Sequence, residues 1–100
     1  MRKLVYVSST YVADNSTYIR ADLEDGDPWC DVSVCLECYG MTPPDENHIH
    51  IPVYKMDPDT LETLRNDIIE KIVDDKVPIG FGTGWLVKLK DNWKEIWQDM

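Results

Sequence analysis

The sequence predicts an α+β domain: a mostly antiparallel sheet of about five strands, one main helix over about residues 57–76 packed on a face, and a short C-terminal helix. Three observations lead there. Stretches in the first half alternate apolar and polar residues with the period of two that a half-buried strand requires. One segment after residue 57 repeats apolar residues every three or four positions behind a well-marked helix start. Hydrophobic residues make up 43% of 100, enough for one modest core, so residues 1–100 are expected to form a single domain.

The first strand is expected over Lys3–Val12, rich in Val, Tyr, Ser and Thr, and the second over Ser16–Leu23. In the second, Thr17, Ile19, Ala21 and Leu23 share one face, and Tyr18, Arg20 and Asp22 share the other. Asp14-Asn15 suits the turn between them because both residue types tolerate left-handed backbone angles. Glu24-Asp25-Gly26-Asp27-Pro28 is dense in turn formers and reads as a surface loop, with Trp29 folding back onto the domain. A third strand is expected over Asp31–Tyr39, with Val32, Val34, Leu36 and Cys38 inward and Ser33, Cys35, Glu37 and Tyr39 outward. Gly40 to Asn47 forms a second loop, and His48–Tyr54 a fourth strand with Ile49, Ile51 and Val53 inward.

The helix start is the clearest local signal. Asp57 is an N-cap, Pro58 occupies the first helical position, and Asp59 places negative charge in the first turn. Met56 and Leu61 stand at the two positions of a hydrophobic staple. Leu61, Leu64, Ile68, Ile72 and Val73 form the expected core stripe, and Pro78 ends the helix near Asp75-Lys76. Gly80, Gly82 and Gly84 then mark a turn or bulge before a fifth strand over Trp85–Leu89. Asp91 can cap a terminal helix with Trp93, Ile96, Trp97 and Met100 on one face, too short to hold without docking.

Few residue patterns suggest chemistry. Cys35, His48 and His50 are the candidates for a metal-binding or hydrolytic site, because thiolate and imidazole suit zinc and the two histidines share a strand face. Cys35 and Cys38 point to opposite faces of an extended strand, so they do not make a zinc knuckle. The glycine run follows a helix and precedes a strand, the reverse of a phosphate-binding loop. The acidic loop fails the EF-hand pattern, which would need ligands at Ala21 and Val32. No nucleophile motif is found, so no catalytic residue and no cofactor is assigned, and the chain reads as a binding protein more than an enzyme.

Charge is the informative feature. The chain holds 10 Lys and Arg against 19 Asp and Glu, a net charge of −9 that disfavours direct nucleic-acid binding. The sum is +2 over residues 1–20, −8 over 21–54 and −3 over 55–100, and residues 21–54 contain no Lys or Arg. Aromatic residues Trp29, Tyr39 and Tyr54 and Met41 are interleaved with these acids, the composition of an interface hot spot. The expected partner-binding residues are Asp22, Glu24, Asp25, Asp27, Trp29, Asp31, Asp45 and Glu46.

The leading expectation is therefore a small acidic interaction module. It would dock on a basic protein of the nucleic-acid-binding kind by presenting carboxylates where phosphates would sit. Small acidic inhibitors made by phages and mobile elements, including anti-CRISPR proteins, share this size and charge. The alternatives from other classes are a small metal-binding or hydrolytic domain using His48, His50 and Cys35, and a homo-oligomeric housekeeping subunit pairing through a strand edge or through Trp93, Ile96 and Trp97. Three cysteines, no membrane-length apolar run and no signal-like start lead to the expectation of reduced thiols, no membrane association and a cytoplasmic location, as a monomer or homodimer.

Overall fold

The computed structural model describes residues 3–80, 82–91, 93 and 97–99. The α+β class holds, but the strands divide between two small sheets instead of one. In the first, β1 (Leu4–Thr10) and β2 (Thr17–Leu23) form a hairpin in register from Leu4↔Leu23 to Thr10↔Thr17. Asn15 takes φ 60° in the turn, and the Asp14 carboxylate accepts the Ser16 amide at 2.9 Å, so the expected turn chemistry is present. Ile19 and Ala21 are fully buried and Thr17 nearly so, which is the predicted face. The edge strand β3 (Pro28–Asp31) pairs antiparallel with β2, and on the far side β7 (Trp97–Asp99) runs parallel to β1.

The second sheet contains β4 (His48–Ile51), β5 (Ile69–Ile79) and β6 (Gly82–Leu89) in the order β4-β6-β5. Its residues Ile49, Ile51, Val87 and Leu89 meet Tyr6, Ile19 and Ala21 of the first sheet in the main core. The helix α1 (Pro58–Asp67) closes that core with Leu64, joined by Ile68 and Trp93. A smaller cluster of Leu36, Val77 and Ile79, with Val34, Met41 and Leu86 against it, lies apart from the main core.

The predicted helix over 57–76 ends a full nine residues early, at Asp67. Its start is as read: the Asp57 side chain accepts from the Thr60 amide, and Pro58 begins the helix. Its end is imposed from outside. Lys90 donates its backbone N–H to the Ile68 carbonyl at 2.8 Å and its ammonium to the Asn66 carbonyl, while Tyr6 holds the Asp67 carboxylate at 2.6 Å. Beyond it, Ile68, Ile69, Ile72, Val73, Val77 and Ile79 are β-branched, and pairing with β6 wins over helix periodicity.

Strand β5 carries one residue more than β6 at each of three places, after Ile69, after Ile72 and after Asp74. Each such bulge switches the face on which following side chains point, which lets an apolar spacing resembling a helix belong to a strand. Of the expected stripe, Leu64 and Ile68 are buried, Leu61 and Ile72 half-buried, and Val73 is exposed. Of the three glycines expected to mark a turn or bulge before Trp85, Gly80 lies in the turn, whereas Gly82 and Gly84 already belong to β6 and pair with β5. Gly80 takes φ 58° in the turn, and a Cβ on Gly82 or Gly84 would collide with the Tyr54 ring or with Ile79 and the Ile51 carbonyl.

The expected third strand, Asp31–Tyr39, is also corrected. The chain is a strand only to Asp31, then crosses from one sheet to the other. Val32 and Ser33 both donate to the Ile19 carbonyl, at 2.8 and 3.3 Å, whereas Val34 donates to the His50 carbonyl at 2.9 Å. A 3-10 turn follows over Glu37–Tyr39. The alternation of Val32 and Leu36 survives as burial in two different clusters, and Cys38, expected inside, is exposed. On the fourth strand, Pro52 ends the ladder and Val53–Lys55 coils as a 3-10 turn.

The terminal helix expected after Asp91 is corrected where it can be compared, because Trp97–Asp99 is extended and paired with β1. Ile96 and Met100 lie outside the described residues.

Candidate functional site

The acidic residues are distributed by β2. At its C-terminal end, the loop to β3 closes with Leu23 donating to the Asp27 carbonyl at 2.8 Å and Gly26 to the Leu23 carbonyl at 2.9 Å, Gly26 taking φ 95°. The Asp25 carboxylate accepts the Asp27 amide at 3.0 Å, which fixes the loop and leaves Glu24, Asp25 and Asp27 exposed. Asp22, on the outer face of β2, accepts from two nitrogens of Arg20 at 2.9 and 3.1 Å, and Glu24 meets Lys3 at 3.0 Å. Among the described residues, no Lys or Arg pairs with Asp25 or Asp27.

Trp29 follows directly and is 37% exposed. Its indole donates to Thr60 Oγ1 at 3.1 Å, and Thr60 in turn donates to the Asp57 carboxylate, so the edge strand is tied to the start of α1. Asp31 faces outward opposite Arg20 and accepts from Tyr18 at 2.7 Å. Burial, and then that bond, push the Tyr18 hydroxyl up to about 12. Glu24, Asp25, Asp27, Trp29, Asp31 and Asp22 therefore share one end and edge of the first sheet.

Asp45 and Glu46 do not join them. The Glu46 carbonyl accepts from the Thr17 hydroxyl at 2.9 Å, which places this loop at the opposite end of β2, about 20 Å away for a seven-residue strand. Asp45 is engaged internally: its carboxylate meets His48 Nδ1 at 2.7 Å and accepts the Asn47 amide at 2.8 Å. These bonds, the His48 contact first, hold its carboxyl below the usual carboxylate range.

The histidines diverge in role. His48 pairs with Asp45, while His50 is only 4% exposed and its Nδ1 is buried with no hydrogen-bond partner among the described residues. Burial lowers its basicity, against the opposing charges of Asp14 and Asp74. Cys35 lies beside Asp14, whose carboxyl is held low chiefly by the Ser16 hydroxyl. Among the described residues, no group of three His, Cys, Asp or Glu could hold a metal ion. The three cysteines are free thiols, and burial, followed by the charges of Asp31 and Asp57, pushes Cys30 up to about 11.

Trp93, expected at a terminal interface, is instead 4% exposed in the core and donates to Asn47 Oδ1 at 3.0 Å. Tyr39 and Tyr54 are exposed and Met41 half-buried. What the sequence reading missed is the cleft under β3, to which Cys30, Lys55 and Met56 contribute. The one available signal was Pro52, which interrupts the alternation of β4. Among the described residues, no helix is long and apolar enough to cross a membrane. No family model, curated protein or solved structure matches the chain.

Proposed function

We propose that this chain is an acidic protein-interaction module that docks on a basic surface of a protein partner, using the β2–β3 loop and its flank. The supporting observation is the placement of Glu24, Asp25 and Asp27 as exposed carboxylates on a loop fixed by its own hydrogen bonds, next to the half-exposed Trp29. A rigid acidic loop beside an aromatic anchor suits a partner rich in Lys and Arg, because charge steers the encounter and the indole supplies desolvated contact area. The partner surface we favour is one that otherwise binds nucleic acid, so that the module acts as an inhibitor by occupying phosphate positions. Asp45 and Glu46 belong to the opposite end of β2 and are left out of this docking surface.

The test is capture by the immobilised protein at low and moderate salt, with duplex DNA as competitor and retained proteins identified by mass spectrometry. The wild type is expected to retain a basic nucleic-acid-binding protein that DNA releases. Replacing Glu24, Asp25 and Asp27 with Lys is expected to weaken that capture at least about tenfold, whereas replacing Asp45 and Glu46 with Lys changes it less than about twofold. Equal capture by the wild type and the first variant overturns the reading.

A further inference from the structure

We infer that the partner inserts one extended segment, with apolar residues at alternate positions and Lys or Arg between them, as an added strand on the free edge of β3. This rests on the acidic docking reading and names the form its partner takes. Val32 donates to Ile19 of β2, and Cys30 pairs with Ala21 two residues earlier, so the intervening Asp31 turns its N–H and C=O away from β2. β3 is the outermost strand of its sheet, which leaves those groups facing the cleft.

The segment that should cover this edge is turned away. Val34 pairs with His50, so a continued antiparallel ladder would bring Pro52 alongside Val32, but Pro52 has no N–H and the chain coils at Val53–Lys55. The seam therefore opens into a cavity of about 260 Å³ lined by Cys30, Asp31, Val34, Pro52, Lys55 and Met56. A second cavity of about 130 Å³ lies under Trp29 and shares Cys30, Lys55 and Met56 with the first. The first is smaller than the 300–1,000 Å³ typical of sites for whole small ligands, and two adjoining pockets along a strand edge suit alternate side chains of a paired peptide.

Charge selects the intervening residues. On the outer side of the sheet an added strand would place its other side chains beside Asp31, which Arg20 faces across β2, with Asp27 near the end of the edge, and neither acid is in ion-pair contact with a Lys or Arg among the described residues. Lys55, the basic residue lining the cleft, lies over the Tyr54 ring at 5.7 Å. An extended basic segment therefore finds backbone groups, one mainly apolar pocket, a smaller one that Asp57 and Thr60 make more polar, and carboxylates on the same edge.

The probe is the synthetic peptide acetyl-Val-Lys-Val-Lys-Val-amide, titrated into isotope-labelled full-length protein and followed by amide chemical shifts. Saturable shifts are expected at Asp31 and Met56, with binding weakened at least about tenfold by Glu in place of Lys or by N-methylation of the central Val. Asp31→Pro and Asp31→Ala both lose the carboxylate, but only the first loses the edge N–H, so Asp31→Pro is expected to bind at least about tenfold more weakly than Asp31→Ala. No shift at Asp31, or equal binding by the N-methylated and parent peptides to the wild type, overturns the inference without relying on the fold of any variant. If the Lys replacements at Glu24, Asp25 and Asp27 weaken binding while Asp31→Pro equals Asp31→Ala, the acidic docking reading stands and the strand insertion fails. If Asp31→Pro loses binding while those replacements do not, the insertion stands and the loop reading fails.

Discussion

The two ends of β2 carry similar acidic loops and use them differently. At the C-terminal end, Glu24, Asp25 and Asp27 project from a loop that holds itself in shape, and the nearby tryptophan is half-exposed. At the N-terminal end, Asp45 is bonded to His48 and Asn47, the Glu46 carbonyl to Thr17, and Asn47 to the buried Trp93. Composition treats the loops alike. Connectivity separates them: one end is tied to β2, to β4 and to Trp93, and the other by the Trp29–Thr60 bond, the Lys3–Glu24 ion pair and the ladder of a four-residue strand.

The largest expected contrast is between the tryptophans. Trp93→Ala removes a core side chain and leaves Asn47 Oδ1 without its donor, so a loss of about 3–5 kcal/mol is expected, enough to threaten folding of a domain this small. Trp29→Ala removes a half-exposed ring and one hydrogen bond, for about 1 kcal/mol. Urea unfolding of both variants measures this. Equal losses would mean that the edge strand is as integral to the core as the β4 end.

This division also sets what could be read in advance. The β1–β2 hairpin was legible because Ile19 and Ala21 alternate with Tyr18 and Arg20, and because Asp14-Asn15 stands where the turn needs a positive φ. The start of α1 was legible because the Asp57-Pro58 signal is local. Its end was not, since Lys90, 22 residues beyond Ile68 in the chain, supplies the donor that closes it. Three bulges in β5 hid a strand inside helical spacing, and the crossing at Ser33, where Ile19 takes hydrogen bonds from two successive amides, hid a change of sheet. The site was legible as composition, in the eight acids of residues 21–54. Its division between two ends of β2 depended on the long-range bond from Thr17 to Glu46, which no local pattern encodes.

A smaller effect tests the ties themselves. Thr17→Val keeps the shape of a buried side chain and leaves the Glu46 carbonyl without that donor, so it is expected to lower stability by about 1 kcal/mol. Asp27→Ala, at the other end, replaces an exposed acid and is expected to stay within about 0.5 kcal/mol of the wild type. The same urea midpoints check the pair, and a larger loss at Asp27 would reverse the assignment of which loop is structural.

The smallest contrast is in pH, and it too falls on the β4 end. His50 is buried with its basicity lowered by desolvation, so the unfolded chain takes up the proton more readily than the folded one. Stability is therefore full above the ordinary histidine value of about 6.5 and declines as the pH falls from there toward the lower folded value. Asp45, held low by His48 and Asn47, contributes above the ordinary Asp value of about 3.9, and that contribution fades only as the pH falls through its depressed folded value. Thermal midpoints from pH 8 to pH 3 are thus expected to fall in two steps. His50→Leu should remove the upper step and Asp45→Asn should shrink the lower one. The carboxylates facing His50, Asp14 and Asp74, oppose its desolvation, so an unchanged upper step in His50→Leu would mean that they offset it and that the proton uptake resides elsewhere.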